Sequence, residues 1–345
     1  MSGGVDSSVA AALELDAGHE VTGCTMRLWG GASDTGCCSV ADVDDARRVA
    51  QQLGIDHFVF NFGDDFDAAV VRPYVAAHAV GRTPNPCVEC NRSVKFDRLL
   101  HRAQALGFDA LATGHHARVA HLDGRWRLRR GIDQAKDQSY VLHMLGQRQL
   151  ARVRFPVGEL DKAEVRRRAA ALGLRTASKP DSQDVCFITS TAGRASFLGD
   201  RTLLTEGRVV DLDGVEVGRV PAVQLVTVGQ RRGLGLAGGA EARYALAVDV
   251  ASARVTVGQL DDLRTTEVGL AAMAWVDRPV AGPVLVQASA HGLARPATFD
   301  VEAALVRFAE PVIRVAPGQS VVLYRGDEVL GGGMATAAPR GGGPQ

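Results

Sequence analysis

The sequence predicts an α/β fold, a doubly wound parallel sheet, followed by a small central β-rich domain and a C-terminal β-barrel. Three observations carry this reading. Strand and helix patterns alternate from Val9 to Thr113, which implies a parallel sheet with helices on both faces. From about Arg201 the chain changes to short alternating runs, as in GRVVDLDGVEVGRV, Gly207 to Val220, with Asp-Gly at its centre. A length of 345 residues is enough for two or three domains with their own cores. The expected boundaries are 1–195, 196–262 and 263–334, with a disordered tail at 335–345 that is rich in glycine and proline.

The elements follow in order. Val9 to Gly18 reads as a helix and Glu20 to Met26 as a strand. Val40 to Leu53 is an amphipathic helix stopped at Gly54, His57 to Phe62 a strand, and Asp65 to Val80 a helix. Asn91 to Leu106 is a helix ended by Gly107, and Ala110 to Thr113 a strand. Arg118 to Arg130 reads as a hairpin turning at Asp123-Gly124. Gly131 to His143 is a polar loop entering a short helix, and Lys162 to Leu172 is a helix. Tyr244 to Val257 and Val284 to Val322 are the β-barrel style of sequence. Ligands of doubly wound sheets bind beyond the carboxyl ends of the strands. Attention therefore falls on Met26, on Cys87 to Cys90, and on Gly114-His115.

Composition narrows the class. Thirty-nine basic residues balance thirty-nine acidic ones, and 46% of the chain is hydrophobic, which suits a soluble globular protein. No apolar run approaches the roughly 20 residues of a membrane span. No basic and then hydrophobic leader precedes the first motif, so a cytosolic location is expected. Zero net charge argues against a large nucleic-acid surface, although Arg125, Arg127, Arg129 and Arg130 cluster, as do Arg166 to Arg168. Lysine stands only at Lys95, Lys136, Lys162 and Lys179, which marks these four as candidates for work needing a compact ammonium.

Chemistry concentrates in three stretches. The first is SGGVDSS, comprising Ser2, Gly3, Gly4, Val5, Asp6, Ser7 and Ser8, and it leads directly into a helix. Glycines for close backbone approach, serine hydroxyls and a helix N-terminus together suit a phosphate. The G-x-x-x-x-G-K-[ST] pattern is absent, so ordinary γ-phosphoryl transfer is not suggested. The loop has no strand ahead of it but Met1. A doubly wound fold expects one there, so the reading is a misassigned start or a truncated copy. The second stretch is GRTPNPCVECNRSVKF, Gly81 to Phe96, with Cys87 and Cys90 ahead of a helix beginning near Asn91. A helix N-terminus raises the thiolate fraction of such a thiol. The third is SKPDSQDVCF, Ser178 to Phe187, carrying Cys186. Cysteines in a reducing compartment point to catalysis or metal binding rather than structural disulfides, and two separated thiol sites suit sulfur chemistry better than zinc. From its apolar flanks Cys186 equally suits a plain buried thiol. Cys24, Cys37 and Cys38 read as structural or incidental.

SGGVDSS resembles the PP-loop of the ATP pyrophosphatase superfamily, whose fold is the adenine nucleotide α-hydrolase type. With GRTPNPCVECN, ATGHHAR, KDQSYVL, FPVGEL, DSQDVCFI, GQRRGLG and PGQSVVLY in order, the chain resembles the tRNA-specific 2-thiouridylase family from Met1 to about Met334. The resemblance implies an ATP- and Mg²⁺-dependent sulfurtransferase that adenylates the C2 oxygen of the wobble uridine and replaces it with persulfide sulfur. It implies ATP contacts at Ser2 to Ser8, Met26 and Gly114, a persulfide on Cys186, and a partner nucleophile at Cys90. Asn85, Pro86 and Cys87 would face the target base. His115, Lys136, Asp137, Gln138 and Gln319 match tRNA-contacting positions, and Ala290 and His291 stand where relatives carry a basic-aromatic pair. The partners implied are the tRNA anticodon stem-loop and an upstream sulfur donor, a cysteine desulfurase or a sulfur-relay protein, with no membrane.

Cys87 departs from the aspartate of many relatives. It either handles a proton or joins Cys90 and Cys186 as ligands of a [4Fe–4S] cluster. Read by themselves, Lys136 to Gln138 also suit a helix start capped by Asp137, and His115 a strand-end histidine bonded to a carbonyl. Two other functions fit parts of the pattern: another adenylating PP-loop enzyme such as GMP synthetase or a different amidotransferase, and an inactive tRNA-binding remnant.

Overall fold

The computed structural model describes residues 1–28, 40–181, 185–188, 193–236 and 241–336. Cys37, Cys38 and the tail from 337 onward lie outside the described residues.

Glycine geometry starts the first element. Gly3 adopts a positive φ of 69°, and Gly4 is extended as the N-cap, so helix α1 runs Val5–Asp16. The helix therefore begins four residues before the expected Val9, and Val-Asp-Ser-Ser forms its first turn. Strand β1, Gly23–Arg27, pairs in parallel with β2, His57–Asn61. Helix α2, Val40–Leu53, buries Ala46, Val49 and Ala50. A second parallel pair joins β3, Leu111–Ala112, to β6, Val153–Arg154. The expected continuous sheet is thus two parallel pairs. Beside β1, the Met1 amino group donates to the Cys24 carbonyl, and Thr25 Oγ1 donates to the Met1 carbonyl at 2.7 Å.

The helix expected from Asn91 starts a turn earlier, at Pro86. Asn85 is extended, and its Oδ1 accepts from the Cys87 and Val88 amides at 3.0 and 3.4 Å. Proline at the first helical position needs no donor. The chain stays helical through 105, with a π-helical stretch at Cys90–Leu99. Cys87, not Cys90, therefore lies in the first turn, where the dipole acts on a thiol.

The Asp-Gly turns form as expected. Asp123 and Gly124 have φ of 50° and 70° between β4, Ala117–Leu122, and β5, Arg125–Arg130. Strands β7, Gly207–Val210, β8, Glu216–Val220, β9, Tyr244–Asp249, and β10, Arg254–Gly258, form the central four-stranded sheet in the order β8-β7-β10-β9.

Six strands then close a barrel. They are β11, Arg264–Trp275, β12, Gly282–Gln287, β13, Arg295–Asp300, β14, Leu305–Ile313, β15, Ser320–Arg325, and β16, Glu328–Ala335, and β11 pairs with both β14 and β16. Ala335, expected in the tail, ends β16. The β4–β5 hairpin adds to this sheet through Glu328↔Arg129 and Val329↔Leu128. A shared core of Phe96, Leu128, Tyr140, Tyr324 and Val329 seals that junction. Among the described residues no helix is long and apolar enough to cross a membrane.

Candidate active site

The Ser2–Ser8 loop braces itself through its hydroxyls. The Ser2 amide donates to Ser7 Oγ at 3.1 Å, and the hydroxyls of Ser7 and Ser8 donate to the Gly4 carbonyl at 3.1 and 2.9 Å. Gly114, just past β3, lies against this loop. A Cβ there would sit 2.6 Å from the Asp6 carbonyl carbon and from the Ser7 nitrogen. Only glycine allows that approach. Loop and strand end thus share one wall, at the carboxyl end of β3.

Asp6 is the charged centre of the loop. Lys162 Nζ reaches its two oxygens at 2.7 and 2.8 Å, and His116 Nε2 donates to Oδ1 at 3.2 Å. Burial pushes the Asp6 carboxyl up, but the bonds from His116 and Lys162 outweigh it and leave the pKa below its ordinary value. Lys162 opens the helix Lys162–Ala171, which Asp161 caps by accepting from the Glu164 amide at 2.7 Å. The same Lys162 pairs with Asp181 Oδ1 at 2.9 Å, as do Lys136 through Oδ2 and Arg166 through Oδ1. Burial again raises, and the Lys136 and Lys162 bonds lower, so that the Asp181 carboxyl falls to about 2. Four cationic or imidazole groups therefore face two carboxylates beside the Ser2–Ser8 loop, an arrangement in which an anion can exchange for a carboxylate at Lys162.

Two of the thiols belong to an apolar cluster. Cys90, Cys186 and Met26 pack against one apolar cluster that includes Phe66, Tyr74, Val94 and Phe187. Phe187 meets Phe66 and Tyr74 edge-on at 5.6 and 5.4 Å. Asn91, next to Cys90, donates from Nδ2 to the Val141 carbonyl at 3.0 Å. That bond ties the C-x-x-C segment to the loop after Lys136. Cys87 is exposed. Among the described residues no three His, Cys, Asp or Glu side chains form a metal-binding group. Asp6, already paired, is the loop's single carboxylate toward Mg²⁺.

The expected tRNA positions divide. Lys136 is exposed with its ammonium on Asp181, and Gln319 lies in the turn beside Arg82 and Thr83, which lead to Asn85. The Thr83 amide donates to the Pro317 carbonyl at 2.9 Å in that same turn. His291 is exposed between β12 and β13, and Ala290 is half-buried beside it. His115 is turned inward instead. It is 8% exposed, lies against Phe96 and Phe155, and shares a 2.7 Å hydrogen bond between Nδ1 and Thr113 Oγ1. Burial pushes its pKa well below the usual histidine value, so it is neutral. Asp137 is also turned inward, at 4% side-chain exposure. His116, Lys162 and Asp181 were not assigned roles from the sequence. The scarcity of lysine was the available signal for Lys162.

Comparison with known proteins gives three family matches that tile the chain. The tRNA methyl transferase HUP domain matches residues 1–190, the tRNA methyl transferase PRC-barrel domain 195–259, and the aminomethyltransferase beta-barrel domain 278–335. A tRNA-specific 2-thiouridylase MnmA of Chloroflexus aurantiacus is 48% identical over 345 residues, covering 96% of each chain. The MnmA of Mycobacteroides abscessus is 48% identical over 353 residues, covering 97% of this chain and 98% of its own. That of Roseiflexus castenholzii is 46% identical over 363 residues, covering 96% and 97%. On these full-length matches the chain belongs to the tRNA-specific 2-thiouridylase family.

Proposed function

We propose that the protein is an ATP-dependent tRNA sulfurtransferase that converts the C2 oxygen of the wobble uridine, position 34, to sulfur. The observation that carries this reading is the placement of Cys90 and Cys186 on one cluster with Met26, at the carboxyl end of β1. Sulfur chemistry then lies at the ligand-binding end of the strand beside the nucleotide loop.

In this reading the loop amides and Lys162 take the β- and γ-phosphates of ATP, and Met26 and Gly114 line the nucleotide. Magnesium, travelling with ATP, supplies charge neutralisation of the polyphosphate. The uridine O2 attacks the α-phosphorus, and the Pα–O bond to pyrophosphate breaks. A flipped-out base is accessible to such chemistry, and anticodon loops offer unpaired bases. The outer sulfur of a Cys186 persulfide, charged by an upstream donor, bonds to C2, and AMP leaves with the C2–O bond. The Cys90 thiolate then attacks Cys186 Sγ. Thiouridine departs with the outer sulfur, a Cys90–Cys186 disulfide forms, and a thiol reductant regenerates both thiols. Cys87, in the helix's first turn, is proposed to handle a proton near the base, with Asn85 and Pro86 facing that base. Lys136, Gln138, Gln319 and the 290–291 turn are the proposed tRNA contacts. The cytoplasm is the proposed site of action, and the three domains are proposed to divide at 195/196 and 262/263.

The test is Cys186→Ser. Nucleoside analysis of digested tRNA is expected to show no 2-thiouridine, while the dissociation constant for tRNA stays within about twofold. 2-Thiouridine still formed by Cys186→Ser would overturn the persulfide route, a wild-type enzyme that adenylates without forming 2-thiouridine would point to another PP-loop chemistry, and loss of tRNA binding would point to a structural cysteine.

A further inference from the structure

The segment from Arg130 to Ser139 is bonded on both sides, and the pattern of its bonds assigns it a role. Arg130 ends β5 within the barrel sheet. Its NH1 donates to Asp137 Oδ2 at 2.7 Å and its NH2 to Gln287 Oε1 at 2.8 Å, and the guanidinium lies 3.7 Å over the Tyr324 ring. The Asp137 carboxylate is filled. Oδ1 accepts from the Gly131 and Ser139 amides at 3.0 and 3.1 Å, and Oδ2 accepts Ser139 Oγ at 2.8 Å in addition to Arg130. Four donors use the roughly four lone-pair positions of a carboxylate.

The next residue faces the other way. The Gln138 amide donates to the His116 carbonyl at 2.8 Å, and Gln138 Oε1 accepts the His116 amide at 3.0 Å. His116 is 3% exposed, with its Nε2 on Asp6, and among the described residues its Nδ1 has no hydrogen-bond partner. At the far end, Gln287 Nε2 donates to the carbonyls of Ser289 and Ala290 at 2.9 and 3.2 Å. Two sets of hydrogen bonds, joined by the Asp137–Gln138 peptide and by the backbone and ring of His116, thus lead from the barrel turn at 289–290 through Gln287, Arg130 and Asp137, and then through Gln138 and His116, to Asp6.

We propose that Asp137 is a positioning residue for the nucleotide loop: it locks the 131–139 segment to the barrel so that Gln138 holds His116 against Asp6. This replaces a direct tRNA contact by Asp137, because a filled, buried carboxylate has nothing to offer an RNA backbone that is itself negative. The inference rests on the reading of the Ser2–Ser8 loop as the ATP site. Two-sided anchoring also makes the geometry of that loop depend on an intact barrel.

The experiment uses the full chain with a tRNA transcript and reads AMP release against ATP and against tRNA, together with tRNA binding at equilibrium. Asp137→Asn keeps an oxygen for the two amides but turns an NH₂ toward Arg130. The expected result is a combined loss of roughly tenfold in kcat/KM for ATP, with tRNA affinity unchanged within about twofold. His116→Ala is expected to give a similar loss, and the double variant no more than the worse single, since both act on one element. Independent structural defects would multiply instead. A change in tRNA affinity of several-fold with unchanged ATP parameters would overturn the proposal. If Asp137→Asn does not fold, the Gln138 pair decides. Gln138→Glu keeps an acceptor for the His116 amide and, read at saturating tRNA because Gln138 is also a proposed tRNA contact, is expected to restore most of the kcat/KM for ATP that Gln138→Ala loses. A glutamate variant that fails to do so overturns the proposal. Wild-type protein that releases no AMP with tRNA and ATP refutes the reading of the loop itself, a separate outcome.

Discussion

Gly114→Ala tests the close approach between the strand end and the nucleotide loop. The added methyl would sit 2.6 Å from two loop backbone atoms and 2.9 Å from Asp6 Cβ, where ordinary contact begins at 3.4 Å. None of these is the far end of a flexible side chain, so the loop must retreat by the better part of an ångström. A displacement of about 1 Å in a site that positions a reacting phosphate is worth on the order of a hundredfold in rate. The fold itself should survive, because Gly114 is partly exposed and the loop has a surface on which to move. Gly158→Ala provides the contrast. There a Cβ would overlap the Ala117 carbonyl in a fully packed setting, and loss of soluble protein is expected. The assay for Gly114→Ala is pyrophosphate release with saturating tRNA, alongside thermal unfolding. A fall of roughly a hundredfold in kcat/KM for ATP, with a midpoint near wild type, is expected. A variant with wild-type ATP kinetics would refute the argument that Gly114 and Asp6 share a wall of the nucleotide site.

Other outcomes follow from the same geometry. Lys162→Met removes the ammonium shared by Asp6 and Asp181, and ATP binding followed by calorimetry is expected to weaken by at least about tenfold. For Asp181, the folded carboxyl at about 2 lies below its ordinary 3.8. Its contribution to stability is therefore complete above pH 4 and disappears as pH falls from about 4 toward 2. Chemical denaturation of Asp181→Asn across that window should show a shallower pH dependence than wild type, and parallel curves would refute the pairing. Protein purified and reconstituted without oxygen is expected to hold no stoichiometric iron or acid-labile sulfide. Iron near cluster content that disappears on Cys87→Ser would overturn the persulfide route.

Much of this site was legible in the chain because its motifs are local. Two glycines and a serine-aspartate run specify a tight turn into a helix wherever they occur, and the Asp-Gly pairs at 123–124 and 213–214 specify hairpins. Boundaries were less legible where capping decides them. Asn85 and Pro86 start the C-x-x-C helix a turn early, and this exchanges which cysteine sits at the dipole. The charged lining was least legible. His116 and Lys162 reach Asp6 from 110 and 156 residues away, Asp181 joins them through Lys162, and nothing in their own flanks announces it. The inward turn of His115 likewise depends on Phe96 and Phe155, which only tertiary packing brings together.

The β4–β5 hairpin has a consequence for synthesis. Its partner Asp327–Glu328 lies about 200 residues downstream, so at about 5–20 residues per second the ribosome leaves β5 waiting for roughly 10–40 s. During that interval the hairpin presents an open strand edge and the unsealed apolar face of Leu128, the kind of surface that invites mispairing. A messenger broken before the last strand would therefore yield a polypeptide holding every thiol and the whole nucleotide loop, yet unable to finish its first folding unit. The position of one hairpin thus makes its completion wait on β16, the last strand of the barrel.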